Sequence, residues 1–310
     1  MTTTAPDPSP AVTSPRRTPT VSVVVPAHDE ARTLRGTLEA LRSAARTEVA
    51  EVVVVANGCT DDTAAVARAA GAVVVELGQA SKAAALRAGD RVATAFPRVY
   101  LDADIVLTPG TLDALAERLR ADGVLAASPR VRFDTSASSW PVRAFYRAYA
   151  ELPYVRDGLV GLGVYGLSET GRSRFEEFPD LTSDDLFVQR LFAEHERATS
   201  EGEFLVAVPR DLRNLLKVRT RTAAGNAQLS KAEPGAGGRA ETEVSGGSAV
   251  GGPPSFARTT SATSTALMRL ALGRPRLIPS FAVYTGVTIA SRVSARRRQA
   301  TAWQRDSSTR

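Results

Sequence analysis

Along the first half of this chain, apolar residues fall in short unbroken blocks. Each block is followed by a longer stretch in which they recur every three or four positions. Val21–Val25, broken only by Ser22, and Glu51–Ala56 read as buried strands, because neither leaves a polar face. Pro26 ends the first, and Glu30–Ala45 then carries Leu34, Leu38 and Leu41 at helical spacing. The alternation continues with helix Asp61–Ala70 closed by Gly71, strand Ala72–Glu76, helix Ser81–Thr94, strand Arg98–Asp102, helix Thr111–Leu119 and strand Val124–Ser128. This rhythm predicts an α/β fold with a mainly parallel central sheet and helices on both faces.

The second half is less regular. Trp140–Leu152 reads as an amphipathic helix, Gly163–Leu167 as a strand, Asp184–Glu196 as a helix and Phe204–Val208 as a strand. Asn226–Arg258 is rich in Gly, Ala, Ser and Pro without periodicity and reads as a flexible linker. Leu277–Ala290 is largely apolar but interrupted by Pro279 and Gly286. It falls short of the roughly 20 residues a spanning helix needs. It reads as a helix packed on the core or as an interfacial segment anchored by Arg296, Arg297 and Arg298. The division is a tail over 1–20, a domain over 21–225 (halves 21–130 and 131–225), the linker over 226–258 and a basic helical segment over 259–310.

Composition narrows the class. With 310 residues and 43% hydrophobic content, the chain can bury one substantial core. Its single cysteine, Cys59, excludes an internal disulfide framework and fits a reducing compartment, so a cytoplasmic protein is expected. The first twenty residues are mostly Thr, Ser, Pro and Ala; they lack the apolar stretch of a signal peptide and read as a disordered tail. The net charge of +6 is a C-terminal property: from Arg269 onward there are nine arginines and one acid, leaving 30 basic against 32 acidic residues elsewhere. That argues against a nucleic-acid-binding core. It suits a tail that meets the anionic inner face of a membrane or simply stays soluble.

Candidate chemistry gathers where parallel strands end, which is where open sheets bind ligands. Pro26-Ala27-His28-Asp29-Glu30 follows the first strand, Asn57-Gly58-Cys59-Thr60-Asp61-Asp62-Thr63 the second, and Ser81-Lys82 the third. Asp102-Ala103-Asp104 interrupts the apolar run Val99–Leu107. Two carboxylates there need positive partners, because burying them ionised costs several kcal/mol or more. A divalent cation held by hard oxygen ligands is one answer, and a turn or helix cap is the other. Caps explain one acid per helix but not acids and a lysine clustering at one edge, which favours a nucleotide site. Gly161–Gly166 matches G-x-G-x-x-G literally, yet it lies in the second half and precedes no helix, so a dinucleotide role is not expected. His28 and His195 are the only histidines and do not suggest a zinc site; Cys59, without a histidine base, reads as a small packed residue.

As a set, Pro26–Glu30, Asn57–Thr63, Lys82 and the Asp-X-Asp at 102–104 resemble the ordered motifs of family 2 glycosyltransferases, which have the GT-A fold. Ser183-Asp184-Asp185 followed by Arg190 resembles that family's acidic motif on the acceptor side. Arg219-Thr220-Arg221-Thr222 with Gly225 loosely resembles its basic segment near the donor diphosphate. The resemblance implies inverting transfer of a sugar from a nucleoside-diphosphate donor to a saccharide or lipid-linked acceptor, in surface polysaccharide or glycolipid synthesis. Asp104, with Asp102, would hold Mn2+ or Mg2+. Asp184, or Asp185 beside it, would be the general base. Pro26, His28, Asp29, Glu30, Asn57, Asp61, Lys82, Asp102, Ala103, Arg219 and Arg221 would line the donor site. Ala56 stands where many members carry an aspartate that reads uracil, leaving Asn57 or Asp29 to read the base, and Thr222 replaces a frequent tryptophan. A sugar-phosphate nucleotidyltransferase is the enzymatic alternative, but no Gly-rich loop with Arg and Lys follows the first strand. A nucleotide-sugar-binding domain without catalysis is the other, suggested by Ala56 and Ser183 and opposed by the intact aspartates.

Overall fold

The computed structural model describes residues 20–48, 50–152, 155, 162–180, 184–232 and 274–297. The tail before Thr20, most of the expected linker and the arginines beyond Arg297 lie outside these residues. The alternation of blocks emerges as strands β1 (Val21–Ala27), β2 (Ala50–Asn57), β3 (Val73–Leu77) and β4 (Arg98–Leu101), interleaved with helices α1 (Ala31–Ala44), α2 (Thr63–Ala69) and α3 (Lys82–Val92). Next come β5 (Val106–Leu107), α4 (Thr111–Arg120), β6 (Ala126–Asp134), α5 (Trp140–Ala150), β7 (Val164–Leu167), α6 (Glu169–Arg172), α7 (Asp184–Leu191), β8 (Arg197–Ala207), α8 (Leu212–Ala232) and α9 (Ile278–Arg297).

The strands form one sheet in the order β3-β2-β1-β4-β7-β6-β8-β5. β3, β2, β1 and β4 are mutually parallel, as is β6 with β8, whereas β7 runs antiparallel to both neighbours and β5 antiparallel to β8. The sheet is therefore mixed in its second half. Successive residues of β1 serve opposite faces, as the pleat requires. Val23 and Val25 join a layer with Leu34, Leu38 and Leu41 of α1 and Leu112, Leu115 and Leu119 of α4, while Val24 joins Ala85 and Leu86 of α3. Gly89 lets α3 lie close on β1, since a Cβ there would stand 2.4 Å from Val24 Cγ1. A third cluster, with Phe145, Tyr149, Leu215 and Tyr284, joins α5, α8 and α9 beside the sheet.

Several expectations are corrected. Pro26 does not end β1, which runs on to Ala27. Pairing to β4 stops at Val24, so the missing N–H costs no ladder bond on that side. The run Val99–Leu107 is two strands: Ile105 N–H donates to Asp102 O at 3.2 Å, and the turn carries the chain from central β4 to edge strand β5. β6 and β8 are longer than expected. The helix expected over Asp184–Glu196 is α7 followed by a 3-10 turn at Glu194–Glu196. The chain does not loosen at Asn226, because α8 continues to Ala232. Pro279 does not interrupt α9; it sits in the first turn, where proline is tolerated. Of the two readings of this segment, packing on the core holds for one face of the helix, where Phe281, Tyr284 and Val287 are buried.

Candidate active site

Three elements bring charge to one point beyond the carboxyl ends of β1 and β4. Asn57, fully buried, donates its amide to Ala27 O at 2.9 Å and accepts from Ser81 N–H at 2.8 Å, tying β1, β2 and the start of α3 together. Ser81 then caps α3 by accepting from Ala84 N–H at 3.2 Å. That fixes Lys82 as the first residue of the helix, where the macrodipole disfavours a cation. Two carboxylates offset this: Lys82 Nζ lies 2.8 Å from Asp102 Oδ1 and 2.8 Å from Asp184 Oδ1.

Asp184, only 6% exposed, opens α7, and its other oxygen accepts from Tyr165 Oη at 3.0 Å. The Lys82 contact to Asp184 Oδ1 is an ion pair without hydrogen-bond geometry. Tyr165 stacks on Tyr100, whose hydroxyl donates to buried Asp90 at 2.7 Å; Asp90 in turn holds Arg98 and Arg172. Burial followed by the Asp184 charge raises the Tyr165 pKa well above its ordinary value, so the ring remains a donor. Burial alone would lower the Lys82 pKa, but the charges of Asp102, Asp184 and Asp185 outweigh it and the pKa is raised. Burial pushes the Asp102 carboxyl up, Lys82 pulls it down, and Asp184 adds to the rise. Lys82 therefore stays cationic.

Pro26, Lys82, Asp102, Asp184 and Asp185 line one pocket with Tyr165 and Gly163. Lys82 was expected to meet phosphate; in this structure its contacts are two carboxylates. Asp104 is exposed, while Ala103 is buried, its carbonyl accepting from Thr37 Oγ1 at 2.8 Å. The Asp-X-Asp thus does form a turn, with the Asp102 carboxylate turned to Lys82 in the pocket and Asp104 exposed. The donor set, the exposed carboxylate of Asp104 with Asp102 beside it, is hard oxygen and suits Mg2+ or Mn2+ completed by phosphate and water.

The first-strand residues form a neighbouring wall. Asp29, the one non-glycine residue with positive φ among the described residues (52°), accepts from Thr60 N–H at 2.7 Å. His28 Nδ1 donates to Asn57 O at 2.9 Å, and Glu30 N–H donates to Thr63 Oγ1 at 2.8 Å. The fold brings ligand atoms of His28, Asp29 and Cys59 within 4.8 Å of one another, without His195. Burial pushes the Cys59 thiol up, in keeping with a packed residue. Two expected donor residues have other roles. Asn57 cannot read a base through a side chain that is buried and bonded at both ends. Asp61 closes the second turn, accepting from Ala31 N–H at 3.1 Å and Thr63 N–H at 3.0 Å.

The two arginines of α8 separate. Arg221 is exposed and its charge reaches Asp102. Arg219 lies against the Phe145 and Tyr149 rings, 5.5 and 5.0 Å from their centroids, and so serves the helical cluster rather than the rim.

Tyr165 and Gly163 are site residues that the motifs did not single out, although both lie in the glycine-rich run set aside as a false dinucleotide signature. Gly163 has φ +102° and precedes β7, and its carbonyl accepts from Asp102 N–H at 2.7 Å. A Cβ there would stand 2.8 Å from Ile105 Cγ1 and 3.2 Å from Asp102 Oδ2. Gly163→Ala is therefore expected to lose about 1–3 kcal/mol of stability from backbone strain. Because the same Cβ presses on Asp102, donor protection in thermal denaturation should shrink as well; undiminished protection would show that Asp102 is not held from this side.

The fold and pocket define a GT-A glycosyltransferase. The Glycosyl transferase family 2 model matches residues 22–175, and the chain belongs to that family. Among solved structures, a mannosyltransferase from Pyrobaculum calidifontis in complex with GDP-Man and Mn2+ is similar over 93% of this chain and 90% of its own, at 21% identity and TM-score 0.58. Glucosyl-3-phosphoglycerate synthase from Mycobacterium tuberculosis, in complex with Mn2+ and UDP-glucose, is similar over 70% of this chain and 81% of its own, at 18% identity and TM-score 0.51. No curated protein matches the chain. Family membership sets aside both the nucleotidyltransferase and the non-catalytic reading.

Proposed function

We propose that this enzyme moves a sugar from a nucleoside-diphosphate donor to a hydroxyl of a saccharide or lipid-linked acceptor, with inversion at the anomeric carbon, in surface polysaccharide or glycolipid synthesis. The lone Cys59 supports assigning the reaction to a reducing, cytoplasmic compartment. The observation that carries the chemical reading is the Lys82 bridge between Asp102 and Asp184 at the pocket that Asp185 also lines. Asp184 is 6% exposed and set against Lys82 and Tyr165, whereas Asp185 is half-buried at the pocket, so we assign the base to Asp185 and give Asp184 the task of holding Lys82.

As the acceptor oxygen bonds to the anomeric carbon, its proton passes to Asp185 and the bond from that carbon to the diphosphate oxygen breaks. One displacement of this kind, with the base on the acceptor side, inverts the centre. The departing diphosphate gathers negative charge near Arg221, whose guanidinium suits phosphate oxygens. Asp104 and Asp102 would hold a divalent cation, which supplies Lewis-acid stabilisation of that leaving group. Support for the cation comes from the donor set and from the Mn2+ named with both similar enzymes.

Thermal shift with UDP-, GDP- and dTDP-sugars, with and without Mn2+, tests the donor, since a ligand of the folded state raises its apparent stability. No metal-dependent shift with any of them would remove the reading. Asp104→Ala, exposed and so expected to fold, should lose the Mn2+-dependent part of that shift and lower turnover about 100–1000-fold. Product anomeric configuration read by NMR decides inversion against retention.

A further inference from the structure

Helix α9 packs on α5 and α8 through Phe281, Tyr284 and Val287, yet its opposite face is not polar. Ile278, Ala282, Gly286, Ile289 and Val293 follow one another at four- and three-residue steps, Thr285 lies beside Gly286, and all are exposed. Ile278 is 51% exposed, Ile289 58% and Val293 44%, so three of the seven large exposed apolar side chains among the described residues belong to this helix. A surface helix ordinarily turns charge toward water. Here the outer face is as apolar as the inner one, and something other than water suits it.

The charges around the face select the occupant. Every ionisable side chain from Arg274 to Arg297 except Tyr284 is an arginine: Arg274 and Arg276 before the helix, then Arg292, Arg296 and Arg297 in its last turns. Arg274 is anchored on Glu151 at 2.5 Å, which sets the start of α9 beside the end of α5; the other arginines have no acid on their own helix. An apolar strip with cations at both ends and no acid complements an anionic lipid surface, where acyl chains take the strip and headgroups take the guanidiniums. A second copy of the same face would set arginine ends against arginine ends. No described helix is long and apolar enough to cross a membrane, so the contact is one of lying on it.

We infer that α9 is a monotopic membrane contact: its Ile278–Ile289–Val293 face rests in the interfacial layer of an anionic bilayer, and Arg276, Arg292 and Arg296 grip the headgroups. This places the anchor on the folded helix rather than only in the arginines beyond it. The inference does not depend on the donor or on turnover.

The test is co-sedimentation of the full-length protein with phosphatidylcholine vesicles and with vesicles containing phosphatidylglycerol, at low and high salt. Donor thermal shift is measured on every variant to report folding. Binding is expected only to the anionic vesicles, weakened by salt, and at least tenfold weaker in Ile289→Asp/Val293→Asp and in Arg292→Glu/Arg296→Glu. Lack of binding at low salt overturns the inference. So does binding that both double variants retain, which would place the contact elsewhere in the chain. Size-exclusion chromatography showing a dimer that Ile289→Asp/Val293→Asp dissolves would overturn it in favour of a second copy.

Discussion

Lys82→Met should damage both the fold and the chemistry of this enzyme, costing about 3 kcal/mol of stability and at least about 100-fold in turnover. The methylene stem keeps its packing, so the loss isolates the charge. Without the ammonium, Asp184, 8% exposed in its side chain, faces Asp102 across the vacated position with only Tyr165 to bond it. Removing one partner of a buried pair generally costs 3–5 kcal/mol; the lower figure applies because the Asp102 side chain is 36% exposed and solvent screens it. The pH dependence distinguishes this from lost packing. Without the Lys82 charge that pulls it down, the Asp102 carboxyl, already raised by burial, rises further above its usual value. A group with a raised folded pKa favours the folded state fully below its unfolded value, and that contribution is lost as pH rises through the folded value. The variant should therefore lie closer to wild type at pH 5 than at pH 8, read as the midpoint of thermal unfolding. A deficit independent of pH, or no deficit at all, removes the clamp from the account.

What the sequence made legible follows from what each signal encodes. Period and block length encode burial, and β1, β4 and most of β2 are buried, so the parallel half emerged within a few residues. β7 and β8 are harder to read because neither the direction of a strand nor the identity of its partners is written in its own hydrophobic pattern. β7 is four residues inserted antiparallel between β4 and β6, and nothing in Val164–Leu167 announces that direction. α8 was obscured by composition: the Ala- and Ser-containing stretch from Asn226 read as linker, yet the helix runs on to Ala232. Motif residues told where charge would gather but not which charge meets which. Asn57 and Lys82 carry polar groups that suit a nucleotide equally well. Only the fold reveals that the amide is spent joining β1 to α3 and the ammonium joining Asp102 to Asp184. Tyr165 had one signal of its own, a hydroxyl in a four-residue strand whose residues are all buried, which must find a partner.

That distinction between a held carboxylate and a working one gives the sharpest test of the site. Asp185→Asn should lower turnover by about 100–10,000-fold, the ordinary worth of a general base, with donor affinity within twofold of wild type. Asp184→Asn should behave differently although the residues are adjacent. Its amide can still accept from Tyr165, but half the charge facing Lys82 is gone. The loss should then appear in donor affinity and in stability, by about 1–3 kcal/mol, with a smaller fall in turnover at saturating donor. The physical reason is access: Asp184 is 6% exposed and set against Lys82 and Tyr165, whereas Asp185 is half-buried at the pocket an acceptor would enter. Single-turnover transfer at saturating donor separates chemistry from binding for both variants. If Asp184→Asn loses the chemical step while Asp185→Asn retains it, the base is Asp184. Lys82 and Tyr165 must then release it when the acceptor arrives, and the clamp is the resting state of a switch rather than a fixed support.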